Sequence, residues 1–191
     1  MRIIAGSSKG MNLLSPGEKT RPTSDRAREG LFSSLESSFG TLAGLNFLDL
    51  FSGSGAVGIE ALSRGANLVH SVEKDDDACE VATKNFNLLK NAAGEHHLFR
   101  MSAVTFVQSS RGLAYDIIFM DPPYEISNHT IEEILQSILT HKLLTPIGMI
   151  AIERRSKGDP FTWPAPLTSE KVRSYGQGSI FYGGYSASVL S

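Results

Sequence analysis

From Leu45 onward, short apolar runs alternate with stretches of helical spacing. The runs "LNFLDL" (45–50), "LVHSVE" (68–73), "HHLFRM" (96–101), "YDIIFMD" (115–121) and "GMIAIE" (148–153) predict five strands. Helices are predicted between them over 56–63, from after Glu73 through about Leu89, over 103–109 and over 128–140. In the last of these, Ile131, Ile134, Leu135 and Ile138 recur at helical spacing. This alternation predicts an α/β domain with a doubly wound, mainly parallel sheet. The final pieces, "SEKVRSYG" and "SIFYGGYSASVL", leave no room for a crossover helix. They predict an antiparallel closing pair that brings the sheet to seven strands.

Upstream, "RIIAG" and "MNLLSPG" flank "SSKG" and predict a hairpin or ordered arm over residues 1–22. The main domain then occupies 23–191. Pro22 ends the extended piece, Thr23 or Ser24 caps a helix, and Ala27, Leu31 and Leu35 form its apolar stripe. Trp163, in the loop "KGDPFTWPAPL", is a candidate loop anchor or substrate contact, with packing the favoured role.

At 191 residues the chain is long enough for one domain with a substantial core. Cys79 is the only cysteine, which excludes an internal disulfide and a thiolate metal cluster. His96 and His97 are adjacent strand positions facing opposite ways, so no metal is expected. Neither a signal-peptide core nor an apolar segment of roughly 18 residues is present, which predicts a cytoplasmic protein without membrane attachment. The net charge of −2 is unevenly spread. Residues 1–30 carry six basic and three acidic groups, whereas the remainder carries twelve against seventeen. Such a basic end beside an acidic body suits orientation of a polyanion, and equally suits an ordinary solvated terminus.

In "FLDLFSGSGAVGIE", Gly53, Gly55 and Gly58 follow a strand and enter a helix. Gly53 and Gly55 permit close backbone approach to a ligand. Glu73 ends the next strand, where a carboxylate can bind both ribose hydroxyls, and Lys74 follows it. Asp49 suits a cationic or amino-bearing part of the ligand. Strand ends of an open parallel sheet converge on one edge, so Asp49, Glu73 and Asp121 are expected together. Phe51 and Met101 are candidate walls or core residues; Ser102 is a candidate base contact or helix cap. The glycine spacing also matches a dinucleotide fingerprint, but no redox geometry accompanies it.

Asp121, Pro122, Pro123 and Tyr124 leave the fourth strand together. The chemistry they suggest is alkylation of a planar amine. Asp121 and the Pro122 carbonyl can accept its two N–H groups, proline fixes the local backbone, and Tyr124 can hold the ring flat. The purine remains open between guanine and adenine at this point, and a noncatalytic RNA-binding factor is the alternative outside enzymes.

The chain resembles the RsmD-like family of bacterial 16S ribosomal RNA guanine-N2 methyltransferases. The resemblance lies in "RIIAG" (2–6), "TRPTSDRAREGLF" (20–32), "FLDLFSGSGAVGIEALSRGA" (47–66) and "IIFMDPPY" (117–124). It implies a Rossmann-like class I methyltransferase fold, S-adenosylmethionine as methyl donor, and 16S rRNA in a small-subunit assembly particle as substrate. A monomer is expected. The resemblance also implies catalytic roles for Asp121, Pro122, Pro123 and Tyr124, and cofactor contacts from Gly53, Gly55 and Glu73; Asp49, Phe51, Lys74, Ser102 and Asp121 complete the expected cofactor set. RNA contacts are expected from Arg2, Lys9, Arg21, Arg26 and Arg28. Met11 and Ser102 depart from the family's usual basic and acidic residues at those positions.

Overall fold

A computed structural model describes residues 1–15, 25–90 and 92–186. After the N-terminal segment come α1 (Asp25–Phe39), β1 (Asn46–Asp49), α2 (Ala56–Ser63), β2 (Leu68–Glu73), α3 (Asp76–Phe86) and β3 (Glu95–Arg100). They are followed by α4 (Ala103–Ser109), β4 (Tyr115–Met120), α5 (Asn128–Thr140), β5 (Leu144–Arg155), β6 (Leu167–Tyr175) and β7 (Gly178–Tyr185). The strands form one seven-stranded sheet in the order β3-β2-β1-β4-β5-β7-β6. The five β1–β5 strands pair in parallel, and β7 pairs antiparallel with both β5 and β6. The expected doubly wound sheet and antiparallel closure are thus observed.

The double winding follows from strands that are apolar on both faces. Phe47, Ile117, Phe119, Met149 and Ala151 pack with α1, α2 and α3 residues in one core. Their strand neighbours Leu48, Ile118, Met120, Ile150 and Ile152 pack with α4 and α5 in the other. Period-two alternation therefore sends each strand's residues into separate cores. Every residue of α2 is buried, because this helix is covered by α1 and the N-terminal hairpin as well as by the sheet.

Most strand ends shift by one or two residues, and larger differences occur in α3, β5 and β7. Helix α3 stops at Phe86, and Leu88 N–H and Leu89 N–H donate to Asn85 and Phe86 carbonyls in a tighter closing turn. Strand β5 starts at Leu144, four residues early, with a register shift against β4 across the stretch containing Pro146. Strand β7 ends by Tyr185; the tail from residue 187 lies outside the described residues. The proposed caps Thr23 and Ser24, and Arg21, also lie outside them. Trp163 packs as expected: it lies 5.3 Å from Phe161 and fills the space that a Cβ on Gly183 would need.

The N-terminal hairpin is closed by Ile3 N–H to Met11 O (2.9 Å) and Leu13 N–H to Met1 O (2.9 Å). It sits directly on α2. Glu60 Oε2 and Oε1 accept Ile4 and Ala5 N–H at 2.8 and 2.9 Å, and Ser63 Oγ accepts Ser8 N–H. The same Glu60 carboxylate meets Arg64 Nε at 2.9 Å and Arg28 Nε at 4.0 Å. Arg28 is completely buried, donating to Asp25 Oδ1 at 2.9 Å and to the Arg2 carbonyl. Burial lowers its pKa, while Asp25 and Glu60 oppose that shift. The expectation that Arg28 lies on a charged RNA-facing rim is therefore corrected: helical rotation turns it inward, where it ties α1 to the hairpin.

Candidate active site

At the C-terminal edge of the sheet, the ends of β1, β2 and β4 line one cleft of about 420 Å3. This volume falls within the usual range for small-molecule sites. Asp49, Phe51, Gly53, Glu73, Lys74, Met101, Ser102, Asp121, Pro122, Pro123 and Tyr124 all line it.

The glycine turn begins where β1 ends. Leu50 N–H donates to Phe119 O and Ser52 N–H to Val72 O, both at 3.0 Å, so the turn is held between β4 and β2. Gly53 and Gly55 have φ of +50° and +79°, conformations that side chains disfavour. Their roles then diverge. A Cβ on Gly53 would enter open space at the cleft wall, whereas one on Gly55 would stand 2.6 Å from Phe86 Cε2. Gly55, between the lining residues Ser54 and Ala56, thus carries a packing requirement that seats α2 against α3.

Glu73 holds this turn open. Its Oε2 accepts Gly53 N–H at 2.9 Å, and its Oε1 accepts Lys74 and Asp75 N–H at 2.8 and 2.9 Å. A carboxylate offers about four acceptor positions, which leaves capacity for a ribose hydroxyl. Ser102 caps α4 by accepting Thr105 N–H at 3.1 Å, as one of its two expected roles required, and it also lines the cleft. Lys74 is exposed at the rim.

Asp49 forms the floor and is only 1 % exposed. Neither carboxylate oxygen has a hydrogen-bond partner among the described residues. Burial, and next the negative charge of Asp121, push its pKa up to about 8; the amides of Phe51 and Gly58 oppose this without reaching hydrogen-bonding geometry. Such a group lacks a cation. S-adenosylmethionine supplies positive charge on its sulfonium and its amino group, so the floor fits this donor better than it fits an anionic dinucleotide.

At the β4 exit, the backbone bends back on itself. Pro123 O accepts Ile126 N–H at 3.0 Å, and Arg154 Nη2 donates to Ile126 O at 2.8 Å. Pro122 O makes no hydrogen bond among the described residues and remains available as an acceptor beside Asp121. Tyr124 is half-buried, with the Arg155 guanidinium 4.4 Å from its ring centroid.

Among the charges expected to meet RNA, Arg2, Lys9 and Arg26 are exposed, in contrast to Arg28. Sequence reasoning missed Glu153, Met1 and the Arg154–Arg155 brace. Glu153 is a buried acid near the end of β5 and lines the cleft, so the rule that selected Asp49 and Asp121 applies to it as well. Met1 reaches the cleft only because the hairpin folds onto α2, which no local signal reveals. Asn85 was also missed: it is buried and joins the hairpin to the glycine turn through Leu14 O and Ser54 O, both at 3.0 Å.

Comparison with known proteins agrees with this arrangement. The family model described as "Conserved hypothetical protein 95" matches residues 1–183. YlbH of Bacillus subtilis is 34 % identical over 179 residues, covering 92 % of this chain and 94 % of the relative. Ribosomal RNA small subunit methyltransferase D of Escherichia coli is 32 % identical over 178 residues, covering 93 % and 86 %. The solved structure of Escherichia coli yhhF superposes with a TM-score of 0.83 at 29 % identity, covering 97 % of this chain and 98 % of that one. No described helix is long and apolar enough to cross a membrane. With the glycine turn, the uncompensated acid beneath it and the Asp-Pro-Pro-Tyr exit assembled in one cleft, the chain belongs to the RsmD-like family of ribosomal RNA methyltransferases and is an S-adenosylmethionine-dependent enzyme.

Proposed function

We propose that this protein methylates the exocyclic N2 amine of one guanosine in 16S rRNA, presented by a small-subunit assembly particle. The observation that carries this reading is the pair of acceptors at the β4 exit, Asp121 and the unengaged Pro122 carbonyl, in the same cleft as Asp49 and Gly53. The similarity to ribosomal RNA small subunit methyltransferase D of Escherichia coli supports the substrate class.

S-adenosylmethionine supplies an electrophilic methyl when bound. The residues of this chain do the rest. An exocyclic purine amine is delocalised into its ring and nucleophilically weak. Asp121 and Pro122 O each accept one of its N–H groups, which favours a tetrahedral nitrogen whose lone pair faces the methyl. Tyr124 stacks against the ring and sets the angle of approach. Asp49, Gly53 and Glu73 would hold the donor, whose sulfur–carbon bond would break as the nitrogen–carbon bond formed, and Asp121 or water would take the surplus N–H proton. Flipping a base out of a helix costs a few kcal/mol, so an unpaired guanosine in the particle is the favoured target.

The test is incubation with methyl-labelled cofactor of matched naked 16S RNA and small-subunit particles, followed by nucleoside analysis and mapping. N2-methylguanosine at one position is expected, with the particle preferred. N6-methyladenosine as the product, or no label in either RNA, overturns the proposal.

A further inference from the structure

The acidic cleft has a cationic neighbour outside the N-terminal patch. Where β5 ends, the sequence reads "ERRSKG"; Arg154 and Arg155 meet the Asp-Pro-Pro-Tyr loop, and Lys157 follows two residues on. The two arginines are used differently. Arg154 is half-buried, and its guanidinium is occupied by Pro123 O, Ile126 O and Asn128 Oδ1. Arg155 is exposed and lies over the Tyr124 ring. Among the described residues its guanidinium makes neither an ion pair nor a hydrogen bond, so its five N–H donors are unused.

We infer that Arg155 is an RNA-positioning residue: it backs the Tyr124 ring from one face and gives its unused donors to a phosphodiester flanking the target nucleotide. This rests on the proposed RNA substrate. Glu73 and Asp121 line the cleft beside the target position and oppose a polyanion there, so a phosphate beside the target base needs a local cation. Arg155 is that cation, already seated at the aromatic side chain on which the base stacks. Guanidinium suits both contacts, because its planar face stacks on an aromatic ring while its edge forms a fork for phosphate oxygens. The base stacks on Tyr124, and ring and guanidinium form one platform.

The test compares wild type with Arg155→Ala, Arg155→Lys and Lys157→Ala in particle affinity across a salt series, steady-state methylation and binding of S-adenosylmethionine. Arg155→Ala is expected to raise KM for the particle about tenfold and to reduce the slope of log affinity against log salt by about one. Its kcat should change less than about threefold, and cofactor affinity should not change. Arg155→Lys is expected to restore the salt slope but only part of the KM, because it retains charge without the fork. Lys157→Ala should change KM less than Arg155→Ala does. An unchanged salt slope and KM in Arg155→Ala overturns the inference, as does an equal loss of cofactor binding, which would mark a merely structural brace. If wild type binds the particle with Arg155-dependent affinity yet leaves the guanosine unmethylated, the proposed reaction fails and the phosphate contact stands. If wild type does not bind the particle, both fail.

Discussion

Asp49 and Glu60 are both carboxylates with 1 % exposure, eleven positions apart on either side of the glycine turn. Their surroundings are opposite. Glu60 accepts two hairpin amides, pairs with Arg64 and faces Arg28, so its buried charge is answered from several sides. Asp49 has no hydrogen-bond partner among the described residues and faces the additional negative charges of Asp121 and Glu73. A folded chain tolerates one such uncompensated group where a ligand is to supply the missing charge. Burial alone therefore does not distinguish a structural acid from a binding acid; the presence or absence of partners does.

The largest effect should come from the cleft. Asp121→Ala is expected to lower kcat by about a hundredfold to a thousandfold while leaving the protein folded. Particle methylation together with thermal melting checks this, and turnover near the wild-type rate would remove Asp121 from the chemistry. On the structural side, Glu60→Ala strands Arg28 and two backbone amides. A loss of about 3–5 kcal/mol is expected in denaturant unfolding, as for other broken buried pairs. A loss below about 1 kcal/mol would mean that the hairpin is not held by this knot.

Asp49→Asn should do the reverse of Glu60→Ala to stability. In the ligand-free protein the raised Asp49 pKa means that, between about pH 4 and 8, the folded state holds a proton that the unfolded state has released. Stability from this group therefore falls as pH rises through that window and levels off above it. The asparagine variant should be more stable than wild type near pH 8, with the difference vanishing near pH 4. It should also bind S-adenosylmethionine about tenfold or more weakly, because the ammonium loses its counter-charge. In wild type that affinity should increase up to about pH 8, as binding ceases to require proton release; calorimetry at several pH values reads both effects. A flat wild-type profile would contradict the assignment. The smallest effect is expected from Ser102→Ala, which removes the α4 cap at a cost of about 1 kcal/mol. A cofactor affinity that drops as well would show that Ser102 also touches the ligand.

Much of this arrangement was legible in residue order. Apolar runs of strand length, separated by helical spacing, located all seven strands, and α2, α4 and α5 were placed over their observed ranges. The cleft acids were legible because strand ends in a parallel sheet share one edge, a rule that applies equally to the overlooked Glu153. Charge orientation was not legible. Arg26 and Arg28 lie two positions apart in the same basic segment, yet one is exposed and the other is completely buried, because helical rotation separates their faces. Gly53 and Gly55 likewise share a sequence pattern, and only the position of Phe86, about thirty residues later, separates cleft wall from packing contact.

By itself the sequence determined the doubly wound sheet, the glycine turn after β1 and the chemical identity of the β4 exit. These depend on local periodicity and on residue types whose backbone or side-chain chemistry admits few alternatives. Only the tertiary structure decided which buried charges are answered and which are left for a ligand. Partners such as Glu60 with the hairpin, or Tyr124 with Arg155, are distant in the chain and meet only once the sheet has brought them together.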